Sequence, residues 1–489
     1  MALEVFNTLS GRVEELTTLD DKRIRMYSCG PTVYDYGHIG NFRTFVFVDL
    51  FRRFLRQSGY QLNHVMNVTD VDDKIIRNSS AKGVGVREYA AKYEQAFFED
   101  MNLLSLEKPE QIARATEHIP EMASLIQRLE KKDFAYKTED GSYYFRIANF
   151  PQYGKLSKKD LTAISNGARV DVDEYEKDNV RDFALWKSPK PSEAKWESEI
   201  GPGRPGWHIE CSAMAMEYLG ETLDVHLGGE DLIFPHHENE IAQSEAATGK
   251  TFARYWMHVR FLLVEGQKMS KSLGNIYTPR DLVLKGHKPS SIRYLLSSVP
   301  YQKQLNFTFE GLKQAANSVE RLRNFKARLD MGRFTAGSSP KMSDLAYSTQ
   351  EKIRGALEDD MNTAQALAAV FDMVREANAA GDEGQLFRDD VPALQKALTG
   401  FDEIFSVLKD DDAEKIKLVL QWARSEGRLS EAAIEESTVS DADVEKLIEQ
   451  RQQARKSRDF AKADAVRKQL AEAGIILEDT KEGLRWKRK

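Results

Sequence analysis

Two thiols, an imidazole and a carboxylate make a donor set suited to zinc, and this chain of 489 residues carries such a set in separated segments. Its two cysteines are Cys29, in Cys29-Gly30-Pro31-Thr32, and Cys211, which ends Gly206-Trp207-His208-Ile209-Glu210-Cys211. Pro235-His236-His237-Glu238-Asn239-Glu240 follows. His236 and Glu240 are four apart, so on a helix both reach one ion from one face, with Pro235 suited to the first helical position. His237 competes with His236 from about 100° further round the helix, and spacing alone does not choose. Either cysteine alone is more often a small buried hydrophobe; the combination points to a metal.

A second set suits nucleotide chemistry. His38-Ile39-Gly40-Asn41 sits where a strand should turn into a helix, and a helix N-terminus there receives phosphate. Gly40 permits close approach of a nucleotide, and His38 can donate to phosphate oxygens. Lys268-Met269-Ser270-Lys271-Ser272 lies between Gly266 and Gly274, as a loop. Its two lysines can clamp a triphosphate and neutralise departing pyrophosphate. Either motif alone is weak. In this order, about 230 residues apart, they are not coincidence.

The elements that must position these groups follow from pattern. Arg23–Ser28 reads as a strand, 41–58 as a helix with Phe47, Phe51, Phe54 and Leu55 on one face, and 62–68 as a second strand. Strand, turn, helix, strand is a βαβ unit and predicts a parallel sheet. Residues 110–205 read as an insertion, with a helix over 120–132 and a strand at 141–146. The core sheet resumes at 223–227 and 259–264. From about 308 the chain becomes helical, with Leu312, Ala316, Val319, Leu322 and Leu329 on one face and Asn362 as the cap of a helix over 363–379. Residues 430–440 read as a polar linker. Two helices starting near Asp441 and Phe460, a cap at Gly474 and a hairpin complete the pattern. No repeat is evident.

The two nucleotide motifs resemble the HIGH and KMSKS pair of class I aminoacyl-tRNA synthetases. The resemblance narrows to the cysteinyl-tRNA synthetase family, which shows the HIGN form. It also rests on Cys29-Gly30-Pro31-Thr32-Val33-Tyr34-Asp35, Asn67-Val68-Thr69-Asp70-Val71-Asp72-Asp73-Lys74-Ile75, the segments around Cys211 and His236, and Leu477-Glu478-Asp479-Thr480 with Trp486. It covers essentially the whole chain.

What the resemblance implies is specific. The fold class is α/β: a class I Rossmann-type catalytic domain (1–307) with a connective insertion at about 110–205, a stem-contact helical bundle (308–429) and a small anticodon-binding domain (440–489). The activity is ATP-dependent joining of L-cysteine to tRNA(Cys) through cysteinyl-adenylate. His38, Lys268 and Lys271 become the catalytic groups, and ATP is held by His38, Gly40, Asn41 and Lys268, Met269, Ser270, Lys271, Ser272. One zinc ion per subunit sits on Cys29, Cys211, His236 and Glu240, and selects cysteine by its sulfur. The family pattern favours His236 over His237 as ligand. Thr32, Thr69, Trp207 and Asp231 fall to the amino acid, although Asp231 could equally contact ribose or cap the Leu232 turn. Arg455, Asp464 and Asp479 are the candidate anticodon contacts. Mg2+ accompanies ATP, and the family implies a monomer. A cysteine ligase acting on a small amine shares the catalytic motifs but lacks residues 440–489, and a non-catalytic relative would not need both nucleotide motifs intact.

Composition agrees with these expectations. Two cysteines rule out a disulfide framework and suit a reducing compartment, so the expected location is the cytoplasm. The first residues carry no basic or apolar leader, and no run of about 18 apolar residues is present. A net charge of -7 argues against a protein coated in nucleic acid, but local patches remain, as in Arg455, Lys456, Arg458, Lys462 and Arg467 beside Phe460.

Overall fold

The computed structural model describes residues 2–159, 182–190, 193–428, 441–457, 459–472, 475–480 and 483–488. The linker expected at 430–440, the cap expected at Gly474 and Arg458 lie outside these described residues. The chain divides into two compact units, Met1–Asp412 and Ala413–Lys489.

In the first unit, strands β1 (Glu4–Asn7) and β2 (Arg12–Glu15) form a hairpin. The expected βαβ unit follows as β3 (Arg23–Ser28), α1 (Ile39–Gln57) and β4 (Gln61–Val68). Phe47, Phe51, Phe54 and Leu55 are buried on α1, as their spacing requires. Helices α2 (Asp73–Lys82) and α3 (Val86–Leu103) come next, then β5 (Gln111–Arg114) and α4 (Ile119–Lys131). A small antiparallel sheet is built from β6 (Ala135–Lys137), β7 (Tyr143–Phe145), β8 (Phe183–Lys187) and β9 (Arg204–Pro205). The chain returns to the main sheet through α5 (Trp207–Leu219), β10 (Leu223–Gly229), α6 (Glu238–Thr248) and β11 (Ala253–Val259).

The main sheet runs β11-β10-β3-β4-β5, all parallel. The chain moves outward from β3 in one direction and later from β10 in the other. The crevice between β3 and β10 is therefore the topological switch point, where open α/β sheets bind ligands at the carboxyl ends of their strands. Two boundaries differ from the sequence expectation. Gln111–Arg114 is the edge strand beside β4, and α4 packs on α5 and α6, so the separate small sheet starts after residue 132 rather than near 110. A short polar strand at a sheet edge gives too little alternation to be recognised. The strand expected over 259–264 is also broken. Arg260 pairs with Glu230, and the Phe261 amide donates to Glu230 Oε1 at 2.6 Å, which turns the chain into a different sheet.

That second sheet contains β12 (Leu262–Val264), β13 (Gln267–Lys268) and β14 (Leu305–Phe307), with α7 (Pro279–Leu284) and α8 (Pro289–Ser297) between the last two. The helical region follows as α9 (Phe309–Met331), α10 (Pro340–Glu358), α11 (Thr363–Asp382) and α12 (Val391–Phe405). On α9 the buried stripe uses Ala315 in place of Ala316. Asn362 caps α11 by accepting from the Gln365 amide at 3.2 Å.

The second unit comprises α13 (Asp412–Ser425, from Ala413 onward), α14 (Asp441–Lys456), α15 (Phe460–Glu472) and the hairpin β15 (Ile475–Thr480) and β16 (Gly483–Arg488). Its small core gathers Val444, Val466, Leu470 and Ile475. Among the described residues no helix is long and apolar enough to cross a membrane.

Candidate functional site

Cys29 lies immediately beyond the end of β3, and its amide donates to the Leu227 carbonyl of β10 at 3.1 Å. Glycine is required next to it: a Cβ on Gly30 would stand 1.8 Å from the Asn67 carbonyl oxygen of β4. Cys211 faces Cys29 from the second turn of α5, sulfur to sulfur 3.9 Å. Helices α5 and α6 are tied by Gln243, whose amide donates to the His208 carbonyl and to Ser212 Oγ, both at 2.8 Å. Their packing brings the third and fourth groups in. His236 Nε2 is 3.5 Å from Cys211 Sγ and 2.9 Å from Glu240 Oε1, and Glu240 Oε1 is 3.7 Å from Cys29 Sγ. The four side chains predicted from sequence therefore converge, and all are buried.

The local backbone departs from expectation. Regular α6 starts at Glu238, while His236 sits in the wide turn Ile233–His237, in which Phe234 is extended and Phe234–Pro235 is cis. Pro235 thus belongs to a kink rather than to the first position of α6. The kink also changes the place of His237, whose Nε2 reaches Cys29 Sγ at 3.3 Å. The two histidines approach the cysteine pair separately, His236 at Cys211 and His237 at Cys29. A second quartet, Cys29, His226, His237 and Glu240, consequently shares two members with the first, and in each the donor atoms lie within 4.8 Å of one another.

Histidines that sequence reading passed over complete the surroundings. His226, on β10, contacts Glu240 Oε2 at 2.7 Å and stacks on Trp256. His258, on β11, links His237 Nδ1 at 2.8 Å to Thr8 Oγ1 at 2.7 Å. His208 Nδ1 stands 2.9 Å from His236 Nδ1. Five of the nine histidines fall between 208 and 258, a clustering that was the available signal.

Burial opposes charge throughout this cluster, and specific partners overcome it at three groups. Burial alone would raise Glu240, yet His226 and His236 hold it at about 2. Burial would lower His236, but Glu240 and Cys211 raise it to about 10. Burial would raise the Cys211 thiol, and the hydrogen bond from Cys29 with the charge of His236 brings it to about 6. Cys29 is pushed well up, by burial first and then by Cys211 and Glu240. Burial and the neighbouring histidines keep His237 well below its ordinary value. The anionic Cys211 and Glu240 thus hold a proton on His236 between them, a proton that a bound dication would displace.

The nucleotide motifs flank the same crevice. His38 is the N-cap of α1: its Nδ1 accepts from the Asn41 amide at 3.1 Å, and Asn41 Oδ1 accepts from the His38 amide at 3.1 Å. This capping box explains the asparagine of the motif. With Nδ1 an acceptor, the neutral ring carries its proton on Nε2. Burial lowers the His38 pKa, and the Asp231 carboxylate works against it. Gly40 leaves room for Met269, since a Cβ there would meet Met269 Cε at 2.5 Å. The β12–β13 hairpin turns at Glu265-Gly266, both left-handed as a tight turn demands, and Lys268 ends β13, so the loop expected for the whole lysine motif begins only after it. Ser270 donates its amide to Asn275 Oδ1 at 2.9 Å and pairs with Ser272 through the hydroxyls at 3.1 Å. Lys268 lies over the Phe261 ring, whereas Lys271, on an exposed side chain, comes within 4.0 Å of Asp35.

Thr32 and Thr69 form a bridge between the Cys29 loop and the end of β4. Trp207 opens α5 with its ring half-exposed and 4.2 Å from His236. Asp231 follows Gly229, where a Cβ would stand 2.3 Å from its Oδ1. In the second unit, Arg455 is exposed on α14 and Asp464 on α15; Asp479 is in β15, with its side chain outside the described residues.

Comparison with known proteins gives a consistent result. Residues 15–317 match a family model described as the catalytic domain of class I tRNA synthetases (C), 352–409 a DALR domain, and 440–486 the anticodon-binding domain of cysteinyl-tRNA ligase. Proteins named cysteine–tRNA ligase from Koribacter versatilis and Solibacter usitatus are 63% and 56% identical, over 100% of this chain and of theirs. The solved Mycobacterium tuberculosis methionyl-tRNA synthetase in complex with methionyl-adenylate has 16% identity and a TM-score of 0.56, over 81% of this chain and 93% of its own. At that identity it speaks for the fold alone.

Proposed function

The chain belongs to the cysteine–tRNA ligase family, and on that footing we propose that it activates L-cysteine with ATP and transfers the cysteinyl group to tRNA(Cys). The observation that carries this reading is the convergence of Cys29, Cys211, His236 and Glu240 at the sheet's switch point, beside the N-terminus of α1 and the lysine loop.

The donor set fits zinc. Bonds of about 2.0–2.3 Å in a tetrahedron separate donors by roughly 3.3–3.8 Å; the sulfur–sulfur, sulfur–imidazole and sulfur–carboxylate separations here are 3.9, 3.5 and 3.7 Å, and only the hydrogen-bonded His236–Glu240 pair, at 2.9 Å, is closer than an ion between them would set it. When bound, zinc supplies a Lewis-acid position that takes the substrate sulfur as a thiolate and discriminates against a hydroxyl. Cys29, Cys211, His236 and Glu240 would hold it. His226 would orient Glu240 and His237 would support Cys29, in the manner of groups behind metal ligands.

Adenylate formation follows from the remaining groups. The cysteine carboxylate attacks the α-phosphorus of ATP, and the bond to the β-phosphate oxygen breaks as pyrophosphate leaves. His38 donates from Nε2 toward the transferring phosphate, backed by the N-terminal dipole of α1. Lys268 and Lys271 neutralise the departing charge, and Gly40, Asn41, Met269, Ser270 and Ser272 shape the nucleotide site. Thr32, Thr69, Trp207 and Asp231 hold the amino acid. The terminal ribose hydroxyl of tRNA then attacks the mixed anhydride and releases AMP. No side chain becomes a covalent nucleophile; positioning and charge carry the reaction.

The same reading assigns 1–307 to catalysis, 308–429 to the acceptor stem and 440–489 to the anticodon, with Arg455, Asp464 and Asp479 contacting bases. It makes the protein a cytoplasmic monomer with one zinc ion that uses ATP with Mg2+. The test compares His236→Ala with His237→Ala. Loss of His236 is expected to remove zinc and cysteine-dependent ATP–pyrophosphate exchange together. Loss of His237 should retain the metal with affinity about 10- to 100-fold weaker. The reverse order would exchange the two ligand assignments. Absence of cysteine-dependent exchange in the wild type, or of charging of purified tRNA(Cys), would remove the functional reading altogether.

A further inference from the structure

We propose that Arg280 is a positioning residue for adenylate formation: clamped to α3, it holds the exit of the lysine loop against the turn that carries His38. This role rests on the adenylate chemistry proposed above and adds a residue to it.

Hydrogen bonds of the lysine loop run inward. The Leu273 amide donates to Ser270 Oγ at 3.2 Å, the Gly274 amide to the Lys271 carbonyl at 3.2 Å, and Asn275 Nδ2 to the Lys268 carbonyl at 3.3 Å. Residues 271–274 are exposed. A loop bonded in this way takes its place from its two ends. One end is β13, paired with β12. The other is Tyr277, whose carbonyl accepts from the Ile39 amide at 2.8 Å. Ile39 opens α1 directly after His38, so an amide that the helix start leaves without a partner is spent on the loop's exit.

One such bond does not fix a position, and Arg280 supplies the rest. It lies in the first turn of α7, behind the Thr278 cap, with 2% of its surface exposed. Its Nε donates to Asp100 Oδ1 at 2.6 Å, and its Nη2 donates to Glu99 Oε2 and to the Ala96 carbonyl, both at 2.9 Å. All three acceptors belong to α3. The guanidinium also lies over the Tyr36 ring, 5.6 Å from its centre, and Tyr36 stands edge-on to Tyr93 of the same helix. Tyr36 precedes His38 by two residues. Arg280 therefore meets both nucleotide motifs from one platform, the lysine loop through its own backbone and the His38 turn through Tyr36. The clamp is geometric. Burial pushes Asp100 up to about 7 while Arg280 draws it back, and a carboxyl in either state accepts on Oδ1.

Arg280→Lys keeps a charge beside Asp100 and loses the planar fork that spans the three acceptors. Displacing a catalytic group by about 1 Å costs on the order of 100-fold, and a partial release is expected to slow single-turnover adenylate formation by about 10-fold. The cysteine KM should stay within about twofold and zinc content should not change. Beside Lys271→Ala, the same substitution should cost less than about threefold, because its effect passes through the loop. Deuterium exchange of the Ile39 amide should quicken by about 10-fold, while that of the Asn41 amide, bonded inside the capping box, stays as in the wild type. Arg280→Gln, in which Asp100 takes up a proton, carries the same test should Arg280→Lys not fold. Wild-type rates in the folded variant, the full loss persisting beside Lys271→Ala, or a cysteine KM and zinc content that change with the rate would each overturn the proposal. Loss of fold in both variants would make Arg280 purely structural and overturn it too. If the wild type shows no cysteine-dependent exchange, the functional reading falls and takes this role with it; exchange intact and unaffected by Arg280→Lys removes this role alone.

Discussion

A Cys211→Ser chain is expected to lose bound zinc and, with it, cysteine-dependent ATP–pyrophosphate exchange by at least about 1,000-fold, the equivalent of roughly 4 kcal/mol in the transition state. The reason lies in the packing of α5 on α6. Cys211 is the proposed ligand that the hydrogen bond from Cys29 and the charge of His236 bring to about 6, against burial. It is therefore the thiolate most available near neutral pH. A serine hydroxyl at the same place cannot ionise and is a poor zinc donor. The loss also removes the negative partner that, with Glu240, raises His236 to about 10. Folding should survive, because the change deletes no buried methylene and Ser212 already occupies this turn fully buried. Metal analysis, thermal unfolding and exchange on one preparation check this. A folded, zinc-free Cys211→Ser protein that still activates cysteine at the wild-type rate would refute a metal role in substrate binding.

Lys271→Ala should slow adenylate formation by about 100-fold, the size expected when one charged group aimed at a transition state is removed. The KM for cysteine should stay within about twofold, because the proposed cysteine site lies at the strand ends and not on the lysine loop. The proposed phosphate role suits Lys271 because its side chain is 83% exposed and held only by a loose contact of 4.0 Å to Asp35. An ion pair that exposed contributes little to folding, so the variant should unfold like the wild type. Single-turnover formation of the adenylate gives the rate, and exchange at varied cysteine gives the KM. Equal rates in both proteins would take Lys271 out of the chemistry; a raised cysteine KM with unchanged rate would place it at the amino acid.

Much of this site was legible in the sequence because its parts sit on strong local signals. The turn after Arg23–Ser28 placed His38 at a helix start, and the structure adds the capping box with Asn41. The i, i+4 spacing of His236 and Glu240 was enough to bring them together at 2.9 Å, even though the kink at Phe234–Pro235 replaces the regular helix start expected there. What could not be read depends on which strands are neighbours. His226 is a lone histidine in an apolar strand until β10 is placed beside β3 and β11 and its ring comes to rest against Glu240. His258 likewise gains meaning from His237 and Thr8, the latter 250 residues distant in sequence. The expected insertion boundary at 110 failed for the same reason, since an edge strand of four residues is defined by its partner β4 and not by its own composition.

Selection of a thiol by a metal held on two thiols is most directly tested by comparing L-cysteine with L-serine in pyrophosphate exchange while zinc is quantified in the same sample. The expected result is about one zinc ion per chain and a kcat/KM for cysteine about 10,000-fold or more above that for serine, as for a site built around the group that distinguishes its substrate. Removing zinc with a chelator should abolish the cysteine reaction, and restoring zinc should recover it. Undiminished preference for cysteine in protein shown to be free of metal would contradict it.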